Sequence, residues 1–333
     1  MTPDSANSAM GEVAVERPEA RRRRHSTATL LGDRIFTVAT LVFALAILAL
    51  LFALAVELIT SSAPALARFG FGFLTSTAWD PPANEFGALP FIYGTVVSSV
   101  LALVVAVPLS LGVALCLSEL APPWLASAVG FMVELLAAIP SVVYGLWAIF
   151  ELGPWLRNYA EPALGKTLGF LPLFQGPHLS VSMLTAGVVL AIMILPYIAS
   201  VCTDVFRTVP QSQRESAFAL GATRWEMIRM SVLPAGLSGV IGAVILGLGR
   251  ALGETIAVAM VIGNSPTISA SLFMPASTLA SVIANEFAEA INAMHQAALI
   301  ELGLVLLGVG VIVNVIARLL VLRATARRFA EEA

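Results

Sequence analysis

An arginine and a glutamate stand four residues apart in an otherwise apolar run, Gly247-Leu-Gly-Arg250-Ala-Leu-Gly-Glu254-Thr-Ile-Ala-Val. Counted from Ala235, Arg250 lies about 22 Å along a helix that rises about 1.5 Å per residue. A charge that deep in a bilayer costs about 2.5–3.5 kcal/mol, so ionisable groups there usually serve a pathway. A guanidinium offers planar forked donors that match an oxyanion such as phosphate. Helical spacing puts Glu254 on the same face as Arg250, and that face must point at protein or water. Arginine ahead of glutamate is the less favourable order for a simple helix-stabilising pair. Gly247, Gly249 and Gly253 bare the helix around Arg250 and permit close approach of another helix. The plainer alternative is a structural ion pair that holds two helices together. Two more carboxylates, Glu134 and Glu301, fall inside apolar runs. Glu134 is a candidate partner for Arg250 or for another subunit, and Glu301 stands near an outer boundary within reach of water. Arg250, Glu254 and Glu134 are therefore the expected substrate-path residues.

A second segment is polar and patterned: Pro210-Gln-Ser-Gln-Arg-Glu-Ser-Ala-Phe-Ala-Leu-Gly221-Ala-Thr-Arg-Trp-Glu-Met-Ile-Arg-Met-Ser-Val-Leu-Pro234. Ser212 with Glu215 and Thr223 with Glu226 have the three-residue spacing of capping boxes, which satisfy free N–H groups at a helix start. Gly221 stands between them and can take the left-handed conformation that ends a helix. The spacing predicts a helix, a tight turn and a helix, bounded by Pro210 and Pro234. A folded hairpin of this kind suits a groove on a partner protein.

These segments sit in a chain of 333 residues that is 58% hydrophobic and 12% charged. Soluble domains are about 25% charged, so the composition implies an all-α protein with several membrane spans. A span needs about 20 apolar residues, and six stretches qualify. They are Ile35–Ile59, Phe91–Leu117, Leu125–Phe150, Val181–Cys202, Ala235–Ile262 and Ala297–Leu322. The first follows a basic cluster, Arg21 to Arg24, but is longer than the apolar region of a signal peptide and reads as an uncleaved span. With six spans and a cytoplasmic N-terminus, fourteen of the 18 basic residues fall inside, three outside and one, Arg250, within the membrane. That bias predicts both termini and the 210–234 hairpin on the cytoplasmic side. Residues 1–30 form a polar tail, 31–89 the first span and an outer loop, 90–322 a transmembrane domain and 323–333 a second tail. Ser277–Met294 alternates apolar and acidic residues and predicts a short helix on the outer surface. Pro108, Pro140 with Ser141, and Pro196 interrupt spans and predict kinks. His25, His178 and His295 are scattered, and Cys116 and Cys202 end apolar runs, so no metal site is expected. A net charge of -3 argues against a nucleic-acid partner.

Glu215-Ser216-Ala217-xxx-Gly221, followed by Ile228 and Leu233-Pro234, resembles the EAA loop of permeases of binding-protein-dependent ABC importers, with Ser216 where the first alanine of the name stands. Gly249-Arg-Ala-Leu-Gly-Glu-Thr255 is similar to the fifth-span motif of that family's phosphate permeases. Phe73–Trp79 with Phe86–Thr95, Ala138–Gly145 and Ala280–Ala290 look like the PstC-type outer loop, third span and last outer loop. The resemblance covers roughly residues 70 to 322. It implies the type I ABC importer permease fold in the inner membrane of a bacterium, with one extra N-terminal span. It also implies a sister permease of the PstA type, a dimer of cytoplasmic ATPase subunits and an extracytoplasmic phosphate-binding protein. In that family the short helix of the loop enters a cleft of the ATPase. No Gly-x-x-x-x-Gly-Lys-Ser/Thr loop is present, so no cofactor is expected here, and ATP and Mg belong to the partner subunits. The chain is expected not to be an enzyme. A permease for sulfate or molybdate, and a secondary transporter, are the alternatives.

Overall fold

A computed structural model describes the backbone of residues 27–331 and side chains from Arg34 to Leu319, 317 excepted. The basic cluster Arg21–Arg24 and most of the expected N-terminal tail lie outside the described residues. Two compact units divide the chain, Met1–Leu54 and Ala55–Ala333. The described part of the first is one stretch of helix, with Ile35, Phe36, Leu41 and Phe52 all more than half exposed. Apolar groups so displayed are stable only against lipid.

The second unit holds the remaining helices and a two-stranded ribbon. The helix that begins at Thr27 ends at Phe69 (α1). The second span is α2, Leu89–Leu115, prolonged by a π-turn, Cys116–Leu120. The third is broken. Its first half, α3, Pro123–Ala138, meets a second half, α4, Ser141–Trp147, whose helical path continues to Leu168 at 90° to the first. Ile139 precedes a proline and is driven to ψ 129°, out of helical space. The expected kink is therefore a right-angled break. The fourth span is α5, Met183–Arg207, capped by Ser182, whose hydroxyl accepts from the Thr185 N–H. The hairpin follows as α6, Gln211–Ala219, and α7, Arg224–Met227. A π-turn, Ile228–Val232, joins α7 to the fifth span, α8, Leu233–Gly253. The fifth span also breaks. Glu254 is extended (ψ 124°), and helix resumes at α9, Ile256–Val261. No proline marks this break. Thr255 turns its hydroxyl onto the Gly253 carbonyl, a local bond that competes with the helix ladder. The chain ends in α10, Leu279–Glu286, and α11, Ala293–Glu331.

The core sits around α5, which is buried over most of its length. Ser98, Ala102, Ala106, Ser110 and Ala114 recur every four residues on α2 and are all buried. A stripe of small side chains lets two helices approach closely without a solvent-driven hydrophobic effect. Ser110 adds a hydrogen bond across the seam to the Leu195 carbonyl, beside Pro196, at 2.9 Å. Pro108 and Pro196 lie inside unbroken helices.

The expected surface helix over Ser277–Met294 is shorter and docked rather than lying free. Leu279, Ala280, Ser281 and Val282 are buried. Its first amide, Leu279 N–H, donates to Thr95 Oγ1 on α2 at 2.9 Å. Gly94 passes so close to this segment that a Cβ there would sit 2.0 Å from the Ser277 carbonyl oxygen. The ribbon pairs Trp79 with Phe86 (β1, Trp79–Asp80; β2, Glu85–Phe86). Trp79 stacks edge-on against Phe86 and Phe91 and donates its indole N–H to Glu286, which also meets His295 at 2.9 Å.

Candidate functional site

Arg250 stands on the last turn of α8, half-buried, at the level where the third and fifth spans both break. Its guanidinium carbon lies 4.2 Å from the ring centroid of Tyr197 on α5, a cation–π contact. Its Nε is buried and makes no hydrogen bond among the described residues. The ring beneath it is fixed by the break in the third span. At the end of α3 the Leu136 carbonyl accepts a long bond from the Ile139 N–H at 3.4 Å, and its i+4 residue, Pro140, has no N–H to give. Tyr144 donates its hydroxyl to Leu136 at 2.8 Å, and Tyr197 donates to Ala137 at 3.1 Å. The arrangement is a half-buried cation on an aromatic plate with donor capacity left over among the described residues. Chemically it can receive an acceptor-rich anion.

The glycines around Arg250 divide into two kinds. A Cβ on Gly247 would meet Ile198 Cδ1 at 2.7 Å, so this glycine permits the close packing of α8 on α5. Gly249 and Gly253 face open space, with nothing within 4 Å. The helix that carries Arg250 ends at Gly253, with Glu254 in its cap position, and no ion pair joins Arg250 to Glu254 among the described residues. Glu254 instead accepts from the Ala257 N–H at 3.4 Å, near the start of α9. Glu134 is exposed and lines a separate cavity of about 40 Å³ with Ser200, Thr203, Asp204 and Arg207. No ion pair ties it to Arg250 among the described residues. Glu301 is buried, 3% exposed, with one carboxylate oxygen that has no partner among the described residues, beside an apolar groove lined by Leu66, Phe71, Leu304 and Ile312.

The hairpin forms as a helix, a turn and a helix. Gly221 holds φ +83°, the left-handed value that the turn requires. Thr223 and Glu226 make the full capping box, Glu226 Oε2 accepting from the Thr223 N–H at 2.8 Å and Thr223 Oγ1 from the Glu226 N–H at 3.4 Å. Ser212 and Glu215 do not make theirs. Pro210 occupies the cap position and α6 begins at Gln211, so Ser212 is already helical and its carbonyl accepts from Ser216 Oγ. Pro234 does not bound the hairpin either. α7 runs through the π-turn into the fifth span as one helical path, Arg224–Gly253, and Pro234 stands directly after the π-turn, the second residue of α8. Ala217 is buried against the domain, whereas Glu215, Ser216, Gly221 and Pro234 are exposed and Leu233 is half-buried. Leu220 is 86% exposed and Trp225 63%. Large apolar side chains so displayed on a polar hairpin make it a candidate contact surface.

One pair was invisible to sequence reasoning. Arg214 on α6 donates Nε and Nη2 to the two carboxylate oxygens of Glu119, at 3.2 and 2.8 Å. The partners are 95 residues apart, and no local pattern announces the contact.

A helical membrane domain with two broken spans, a half-buried cation at the breaks and an exposed hairpin defines a transport permease of the type I ABC importer fold. The chain overlays an inward-facing structure of the MetNI methionine ABC transporter with a TM-score of 0.50, covering 72% of this chain and 94% of that one at 20% identity. Residues 106–326 match the family described as binding-protein-dependent transport system inner membrane component, and the chain belongs to that family. It is 44% identical over 324 residues to the phosphate transport system permease protein PstC of Mesorhizobium japonicum, covering 96% of this chain and 99% of the relative. Identity to PstC of Xylella fastidiosa strain Temecula1 is 49% over 277 residues, 82% and 85% of the two chains. PstC of Haemophilus influenzae is 44% identical over 293 residues, 87% and 93%.

Proposed function

We propose that this chain is one membrane subunit of an ATP-driven importer and that inorganic phosphate crosses the bilayer past Arg250. Arg250 carries the reading. It is a half-buried guanidinium with an unpartnered Nε at the meeting of two broken spans, in a chain whose relatives at 44–49% identity are phosphate permeases. Broken helices that meet near mid-membrane are a recurrent way to build an ion site in transporters. Gly249 and Gly253 leave open the space beside Arg250 where a sister permease of the PstA type would close the path. The exposed hairpin would dock into a cytoplasmic ATPase dimer, which binds ATP and Mg and performs the hydrolysis. An external phosphate-binding protein would deliver substrate. The distribution of basic residues supports cytoplasmic termini and an inner-membrane location. The work of the chain is mechanical: the spans exchange which side they open to.

The test measures phosphate uptake and membrane abundance together on the assembled importer. Arg250→Ala abolishes uptake per complex while leaving assembly close to normal. Arg250→Lys rescues poorly, because a point charge cannot reproduce a forked contact. Glu254→Gln keeps an acceptor for the Ala257 amide and retains most uptake. Normal uptake per assembled Arg250→Ala complex would make the arginine structural. Uptake of sulfate or molybdate in place of phosphate would overturn the substrate.

A further inference from the structure

The hairpin is fastened to the membrane domain through one guanidinium. Arg214 spends its donors on two places at once. Two bonds go to Glu119, in the π-turn that ends the second span. Nη1 donates to the Val209 carbonyl at 2.5 Å and Nη2 to the Phe206 carbonyl at 2.8 Å, at the end of the fourth span. The Glu119 side chain is 5% exposed and that of Arg214 14%, so the pair is shielded from water on most sides. Exposed ion pairs contribute little, but a shielded, forked, doubly bonded pair is stiff and geometrically specific. Glu215, the next residue, is exposed, as are Arg224, Arg229 and Glu226, whose carboxylate folds back on Thr223 in the capping box. Of the hairpin's charged side chains, only Arg214 turns inward. The two spans it grips, α2 and α5, form the closely packed seam of small residues at the centre of the domain.

We propose that Arg214 and Glu119 are positioning residues that convert displacement of the hairpin into movement of the second and fourth spans, and that the pair stays closed through the transport cycle. Neither residue touches substrate. A hairpin pushed by a partner must move the spans it is bonded to, and this contact is its shielded polar bond to the second span. Without it α6 can shift on the spans and the push is lost. The inference rests on the hairpin being the ATPase contact.

The complete importer in proteoliposomes, with its ATPase subunits, gives three readouts: complex abundance, ATPase capture, and phosphate imported per ATP hydrolysed. Arg214→Gln and Glu119→Gln should each keep ATPase capture but lower the phosphate-to-ATP ratio about tenfold, within the ordinary range of coupling between sites. The double variant should be no worse than the poorer single, because the two act as one unit. It also leaves no unpaired charge, so its abundance should recover if either single folds poorly. Arg214→Lys should fall between wild type and Arg214→Gln. A normal ratio in either single variant, with only abundance reduced, would overturn the strut. So would ratios that multiply in the double variant, or loss of ATPase capture. Failure of the docking reading is separately visible: ATPase capture would then survive Gly221→Val unchanged.

Discussion

Gly221 holds φ +83° with nothing within 4 Å of where a Cβ would stand, so a substitution there isolates backbone strain from steric clash. The turn is held by two backbone bonds, Gly221 N–H to the Phe218 carbonyl at 2.9 Å and Ala222 N–H to the Ala217 carbonyl at 3.2 Å. The second of these spans Gly221 and requires its left-handed conformation. Placing an L-residue in that region costs about 1–2 kcal/mol, and a β-branched one lies at the upper end. That energy corresponds to a factor of about 5–30 in the population of the correct turn. The turn sits beside Leu220 and Trp225, the most displayed apolar groups of the hairpin. Gly221→Val should therefore weaken capture of the ATPase subunits about 5- to 30-fold, with the spans inserted normally. Gly221→Asn should remain close to wild type, because asparagine tolerates the left-handed region. The assay is titration of ATPase subunits onto permease complexes, read alongside phosphate-stimulated ATP hydrolysis. Equal affinity for Gly221→Val and wild type would refute the argument, because the cost is fixed by backbone geometry.

Three further outcomes follow from the same geometry. In a cysteine-free version, cysteines at the exposed positions Ala83 and Ile291 should react with an impermeant reagent from outside the cell, and one at Leu220 should not; labelling of Leu220 from outside would invert the topology. Thr223→Ala removes a complete capping box and should cost the hairpin about 1 kcal/mol, seen as faster amide exchange at Glu226; unchanged exchange would show that the cap carries no weight. Gly94→Ala forces a Cβ to 2.0 Å from the Ser277 carbonyl and should displace α10, lowering the yield of folded protein where Gly112→Ala, with open space around it, does not.

What the sequence displayed was local. Six apolar runs have helical counterparts, and the turn at Gly221 and the box at Thr223–Glu226 are contained within five residues. The box at Ser212–Glu215 failed for an equally local reason: Pro210 had already taken the cap, and a spacing cannot say which of two adjacent residues begins a helix. The two breaks show the same limit. Pro140 announced an interruption but not its angle, and the one at Glu254 carries no proline at all. That second break begins at Glu254, and no ion pair joins it to Arg250 among the described residues, which a four-residue spacing could not foretell.

The position of Arg250 follows from the breaks rather than from its own motif. Bending the third span at Pro140 interrupts the helix ladder, leaving the Leu136 carbonyl a long 3.4 Å bond from the Ile139 N–H. Tyr144 and Tyr197 add side-chain donors to the Leu136 and Ala137 carbonyls. A tyrosine bonded in this way cannot swing its ring aside, so Tyr197 presents a fixed face toward α8. Arg250 rests on that face rather than on a carboxylate, which leaves its charge held in place but not neutralised by an ion pair among the described residues. A carboxylate would have to be displaced by every incoming anion, whereas an aromatic plate need not move. Breaking the third span thus does two things: it opens the helix path near mid-membrane, and it fixes the support on which the candidate anion-receiving group stands.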